Sequence, residues 1–109
     1  PVVKQNIIEL LAHLKEAYGY EVCLHYVKLF PKVSMRAIYY NLKKGVLTGE
    51  FKVTKVKSES GDYSWGKQAE RVYYALGPEA RPLGNDNVRK YVEELANKKA
   101  AAEKIKDGK

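Results

Sequence analysis

Pro31 interrupts a stretch that otherwise reads as continuous helix, and this break sets the topology of the first half of the chain. Proline disfavours the helical region for the residue before it. The helix that carries Val22, Cys23, Tyr26, Val27 and Phe30 therefore ends at Phe30. Only Pro31, Lys32 and Val33 separate it from Ser34, whose hydroxyl suits the N-cap of a new helix. That next helix runs to about Lys44 or Gly45. It places Ile38, Leu42 and Val46 on one stripe and Arg36, Tyr40, Lys43 and Lys44 on another, because residues three and four apart are helix neighbours. Two helices joined by a short turn, the second presenting basic and polar side chains, form a helix-turn-helix arrangement.

The flanking segments extend this unit. Residues 3 to 17 predict an amphipathic helix with Ile7, Leu10, Leu11 and Leu14 at helical spacing, broken by Tyr18-Gly19-Tyr20 before a second helix over residues 21 to 30. After the third helix the period changes to two. Residues 50 to 56 alternate, with Phe51, Val53 and Val56 apolar and Lys52, Lys55 and Lys57 polar, and residues 70 to 76 are rich in β-branched and aromatic side chains. Residues 58 to 68 between them are too long for a tight hairpin turn. The pattern predicts an α+β, mostly helical chain: a winged helix-turn-helix of three helices and a two-stranded wing over residues 1–78. A linker and a C-terminal helix over residues 79–109 follow, the helix itself spanning about residues 87 to 104. On Lys55 and Lys57 strand alternation predicts one shared face, with Lys52 on the other.

Charge narrows the partner. The chain carries a net charge of +7. Lys32, Arg36, Lys43, Lys44, Lys52, Lys55 and Lys57 fall in one quarter of it, with Glu50 as the one acid among them. Such a concentration favours an anionic partner, and nucleic acid is the commonest. A membrane is not expected as partner: no apolar run approaches the ~18 residues of a spanning helix, and no signal peptide opens the chain. The lone Cys23 cannot form an internal disulfide and lies in an apolar helical stretch, so it reads as core in a reducing compartment. The expected location is cytoplasmic, associated with the nucleoid.

Several motifs together resemble the PadR-like branch of winged-helix transcriptional regulators. Gly19-Tyr20-Glu21 opens the second helix; Tyr39 and Leu42 stand three apart on the third; Gly49 ends the turn before the wing; and Arg71, Tyr73, Tyr74 and Leu76 give the second wing strand its Arg-x-Tyr-Tyr-x-Leu look. The likeness covers about residues 7 to 77. It implies a homodimer whose C-terminal helices pack across subunits, and duplex DNA as the ligand. Gly45 stands where a large aliphatic residue is usual, which points to a shifted or shortened third helix. The wing loop is also longer and more aromatic than the family minimum.

With the third helix in a major groove, its N-terminal half meets the bases. Arg36 is the best reader, because its fork can bond guanine O6 and N7 together. Ser34 and Tyr40 suit phosphates or base edges, and Asn41 suits adenine if it points outward. Lys43 and Lys44 suit phosphates, which position without specifying. Lys55, Lys57 and Lys67 extend the footprint onto the wing. Tyr63 and Trp65 at the wing tip have three open roles: a minor-groove wedge, a contact with a neighbouring subunit, or a fold-back onto their own domain. On the last helix, Val88, Tyr91, Val92 and Leu95 form an apolar stripe that needs the domain's own core or a partner's helix, with Ile7 and Leu11 as the matching face. A dimer built this way would read a palindromic site, two half-sites one helical turn apart.

Catalysis finds no support. His13 and His25 lie on different helices with no Cys or His pair at metal-ligand spacing. Gly61-Asp62 and Trp65-Gly66 lack the strand-then-helix setting of a phosphate loop, and nothing places a nucleophile beside a base. No cofactor is expected. The reading is a dimeric winged-helix DNA-binding protein acting in transcription regulation. The alternative is an architectural or DNA-segregation accessory factor that spreads along DNA from a specific site in a higher-order assembly.

Overall fold

A computed structural model describes residues 2–59 and 69–107. Its elements run α1 (Val2–Leu14), β1 (Ala17–Tyr18), α2 (Gly19–Leu29), α3 (Met35–Thr48), β2 (Phe51–Glu59), β3 (Ala69–Leu76) and α4 (Asp86–Asp107). Four helices pack with a three-stranded antiparallel sheet of order β1-β3-β2. The α+β winged-helix class expected from the periodicity is what forms.

α1 ends three residues earlier than its apolar spacing suggests. Lys15 adopts a left-handed φ of 72° and its N–H still reaches the Leu11 carbonyl at 2.8 Å. The chain is thereby turned so that Ala17 and Tyr18 can pair with Tyr74 and Tyr73 of β3. The wing is consequently part of a three-stranded sheet rather than a lone two-stranded ribbon. Gly19 and Tyr20, read from sequence as a break, are the first turn of α2, where the Tyr18 N–H donates to the Glu21 carboxylate at 3.1 Å.

Ser34 caps α3 as expected, accepting the Ala37 N–H at 3.1 Å. The helix is not shortened at Gly45. It continues to Thr48 and closes on Gly49 at φ 89°, a conformation that glycine adopts without a Cβ penalty. Gly45 is needed for another reason. A Cβ at residue 45 would stand 2.2 Å from the Phe51 ring, so the glycine lets the first wing residue close directly onto the helix.

The core joins all these elements. Ile7, Leu10, Leu11, Val22, Tyr26, Ile38, Leu42, Phe51 and Val88 are all at most 1% exposed, and Cys23 is buried beside them. Asn6 donates to the Tyr26 hydroxyl at 3.1 Å, so that phenol enters the core with its polar end satisfied. The segment ahead of α4 is docked rather than free. Glu9, 4% exposed, accepts the N–H groups of Leu83 at 2.8 Å and Gly84 at 3.0 Å and the Gln5 amide at 2.7 Å. Burial alone would raise the Glu9 pKa, but these donors together with nearby His13 outweigh it and hold the carboxyl below its ordinary value. Asn85 then caps α4 through Val88 N–H at 3.1 Å.

This arrangement takes part of the expected dimer face into the domain's own core. Ile7, Leu11 and Val88 are enclosed by their own chain and have no surface to offer a partner. Tyr91 is half-buried, its hydroxyl 2.6 Å from His25 Nδ1, and Val92 packs against the same core. Leu95 is half-buried, and every residue from Ala96 to Ala101 is exposed.

Candidate nucleic-acid interface

α3 presents the stripe that its spacing requires. Ile38 and Leu42 are fully buried, and Arg36, Tyr40, Lys43 and Lys44 are exposed on the opposite side. Tyr40 is 60% exposed, a large value for an aromatic side chain, and Lys44 Nζ lies 5.7 Å from the centre of its ring. Among the described residues no carboxylate lies within ion-pair distance of Arg36, Lys43 or Lys44. Uncompensated cations on a rigid helix are what a polyanion would meet first.

Two expected members of the stripe are engaged within the helix. The Ser34 hydroxyl accepts the Ala37 N–H, although its side chain is exposed. Asn41 is half-buried, and its amide donates to the Ala37 carbonyl at 2.8 Å, away from any partner. Tyr39, one residue along, packs against the core with its ring seated over Gly19; burial raises its pKa, so it stays a neutral donor.

A register shift between Val53 and Lys55 changes the wing. Past it, Lys55 pairs with Tyr73 and Lys57 with Arg71, and ahead of it Lys52 pairs with Ala75. Alternate residues of β3 share a face, so all three lysines project to one side. The expectation that Lys52 faces away is thus corrected by the bulge. That face also carries aromatic rings: Tyr18 and Tyr73 meet edge to face at 5.4 Å, Lys55 lies 4.7 Å and Lys57 5.7 Å from the Tyr73 ring, and Arg71 lies 4.7 Å from Tyr18. Glu16 tempers the charge here, pairing with Lys55 at 3.3 Å and accepting the Thr54 hydroxyl. That hydroxyl, opposed by a desolvation cost and reinforced by Lys55 and Lys57, keeps the Glu16 carboxyl below its ordinary pKa. Glu50 is similarly engaged by the Thr48 hydroxyl and by Lys4 at 3.2 Å. Lys67, Tyr63 and Trp65 lie outside the described residues.

Glu16, Tyr18 and Tyr73 are members of this surface that the sequence reading did not assign to it. The period of β3 alone puts Arg71 and Tyr73 on one face, but Tyr18 and Glu16 join it only through the pairing of β1. Where β1 stops, a cleft of about 480 Å³ opens between α3 and β3, lined by Tyr18, Tyr20, Tyr39, Lys43, Arg71 and Tyr74 among others. No cluster of His, Cys, Asp and Glu suited to a metal occurs among the described residues, and none of their helices is long and apolar enough to cross a membrane.

No protein-family model and no curated protein matches the sequence. Solved structures do. Bacillus subtilis PadR in complex with operator DNA is similar over 88% of this chain at 20% identity with a TM-score of 0.52, and the chain spans about half of that protein, 47%. A PadR-family transcription regulator from Clostridium difficile R20291 is similar over 99% of this chain and 97% of its own length, at 18% identity and a TM-score of 0.51. The fold is therefore that of the PadR winged-helix regulators, reached at a sequence identity low enough that the shared framework is the whole of what the likeness establishes.

Proposed function

We propose that the protein is a DNA-binding transcriptional regulator, not an enzyme, that lays α3 in the major groove of duplex DNA and rests the β2–β3 wing on the flanking backbone. One observation carries this reading. α3 turns Arg36, Tyr40, Lys43 and Lys44 outward with no carboxylate partner among the described residues, while Ile38 and Leu42 anchor it from behind. Arg36 reads guanine, and Tyr40 and Ser34 contact a base edge or phosphate near the helix start. Lys43 and Lys44 hold phosphates, with Lys57 and, behind its Glu16 pair, Lys55 adding wing contacts. Asn41 is half-buried and one N–H of its amide is committed to the Ala37 carbonyl, so it adds only a minor contact. Bacillus subtilis PadR, one of the similar structures, was solved in complex with operator DNA, which supports the choice of ligand.

The functional unit is a homodimer. Its contact is the half-buried Tyr91, Val92 and Leu95 and the exposed turns of α4 beyond them, not Ile7, Leu11 or Val88. A helix of 22 residues extends about 33 Å, long enough to reach past its own domain. Selection of duplexes from a random pool tests the proposal. It predicts enrichment of a two-fold symmetric sequence with half-sites about one helical turn apart; equal recovery of all sequences at physiological salt would contradict it.

A further inference from the structure

The two faces of the wing differ in chemistry, and the cationic one is turned away from α3. Phe51, Val53 and Val56, paired with Leu76, Tyr74 and Val72, share the inner face, where the Phe51 ring closes onto Gly45 of α3. Phe51 and Tyr74 are buried in the core, but Val53 is 45% and Val56 52% exposed. The hairpin therefore runs out beyond the helices, and its inner face stays apolar as it does so.

Lys52, Lys55 and Lys57 lie on the outer face, kept together there by the register shift after Val53. They span roughly 16 Å of β2, at about 3.3 Å per residue, long enough to meet several phosphates. Lys55 at 4.7 Å and Lys57 at 5.7 Å from the Tyr73 ring hold their charged ends close together. Of the three, only Lys55 has a carboxylate within ion-pair distance among the described residues, Glu16 at 3.3 Å.

α3 presents its stripe on the side away from Ile38 and Leu42, which pack in the same core that Phe51 and Tyr74 close. A straight duplex held by that stripe approaches the wing from the α3 side, where it meets Val53 and Val56. Its backbone reaches the lysines only by curving round the hairpin. We propose that the protein bends DNA towards the wing, with the flanking backbone drawn onto Lys52, Lys55 and Lys57. This inference rests on the DNA reading above. The added phosphate contacts offset the elastic cost of the bend.

Ligase-catalysed closure of cohesive-ended, mixed-sequence duplexes of about 100 base pairs tests it, because DNA shorter than its persistence length of ~150 base pairs closes slowly unless bent. With the full chain at saturation, as judged by gel shift, the yield of monomer circles is expected to rise about tenfold or more. Two double variants separate bending from holding. Lys43→Ala/Lys44→Ala and Lys52→Ala/Lys57→Ala each remove two exposed cations, so each should weaken duplex binding about tenfold or more at ~0.1 M salt while keeping the fold. Brought back to saturation, the α3 variant should still speed closure, and the wing variant should lose most of the gain. Saturated duplex that closes no faster than free DNA, or a gain lost equally in both variants, would overturn the bend. A gain confined to linear multimers would overturn it too, since the wing would then be holding a second duplex. A chain that shifts no duplex at all would remove the DNA reading and the bend with it; bound but unbent DNA would remove the bend alone.

Discussion

The ring of Tyr39 occupies the place that a side chain at residue 19 would need: a Cβ built on Gly19 would stand 2.4 Å from Tyr39 Cε1 and 3.1 Å from Cζ. The contact couples the first turn of α2 to the middle of α3. It thus sets how the outward stripe sits on the domain, and Gly19 acts through space rather than through backbone freedom.

Gly19→Ala should therefore destabilise the chain by about 1–3 kcal/mol, the usual cost of overpacking. Urea unfolding measures it. Shortening the opposing ring in Gly19→Ala/Tyr39→Leu should recover part of the loss, a non-additivity expected only of residues in contact.

Gly45 makes the same point on α3. Alanine in place of a mid-helix glycine should add about 0.5–1 kcal/mol through propensity, but a Cβ 2.2 Å from the Phe51 ring reverses the sign. Gly45→Ala is predicted to lower the melting temperature, and Gly45→Ala combined with Phe51→Leu to fall by less than the two single effects added.

Glu9 gives a pH dependence with a definite sign. Its folded pKa is held below the unfolded value of about 4.3, so the stability it contributes is fully present above that value and is lost as pH falls through the folded pKa. Glu16 and Glu50 shift the same way but are solvent-accessible and add little. Glu9→Gln should cost about 1–3 kcal/mol at neutral pH, because Leu83 and Gly84 donate to different carboxylate oxygens and one of these would become an NH2 donor. It should also flatten the acid limb of stability below about pH 4.5 relative to wild type. Unfolding curves between neutral and acid pH check both.

Arg36 and Lys44 should separate reading from holding. Arg36→Ala is predicted to lose about 1–3 kcal/mol of discrimination at one base position while leaving the fold unchanged, since its side chain is exposed. Lys44→Ala should weaken all sequences alike. Competition binding over a set of single-base variants distinguishes the two.

Leu95→Glu should convert the proposed dimer to monomer in sedimentation without lowering the stability of the domain, because Leu95 lies outside its core cluster. Unchanged sedimentation would place the contact elsewhere.

The helical half of this fold was legible because its determinants are local: Pro31, the Ser34 cap and the spacing of Ile38 and Leu42 act within a few residues. The end of α1 was not, because Lys15 takes a left-handed turn that carries no glycine signal and is held by the pairing of Ala17 and Tyr18 with a strand more than fifty residues on. Period-two reasoning likewise misplaced Lys52, since a bulge leaves no mark in composition. The cationic stripe followed from helical spacing, but its aromatic neighbours Tyr18 and Tyr73 and the restraining Glu16 converge only through tertiary pairing. The apolar stripe of α4 was seen, but one face fits a core or a partner equally well, and only the packing shows that Val88 is enclosed by its own chain.

Duplex affinity as a function of salt tests whether the cationic ridge of α3 is what meets DNA. Neutralising about six phosphates predicts a log–log slope of about −5, reduced by about 2 in the Lys43→Ala/Lys44→Ala double variant. A wild-type slope near zero, or a slope that the double variant leaves unchanged, would contradict it.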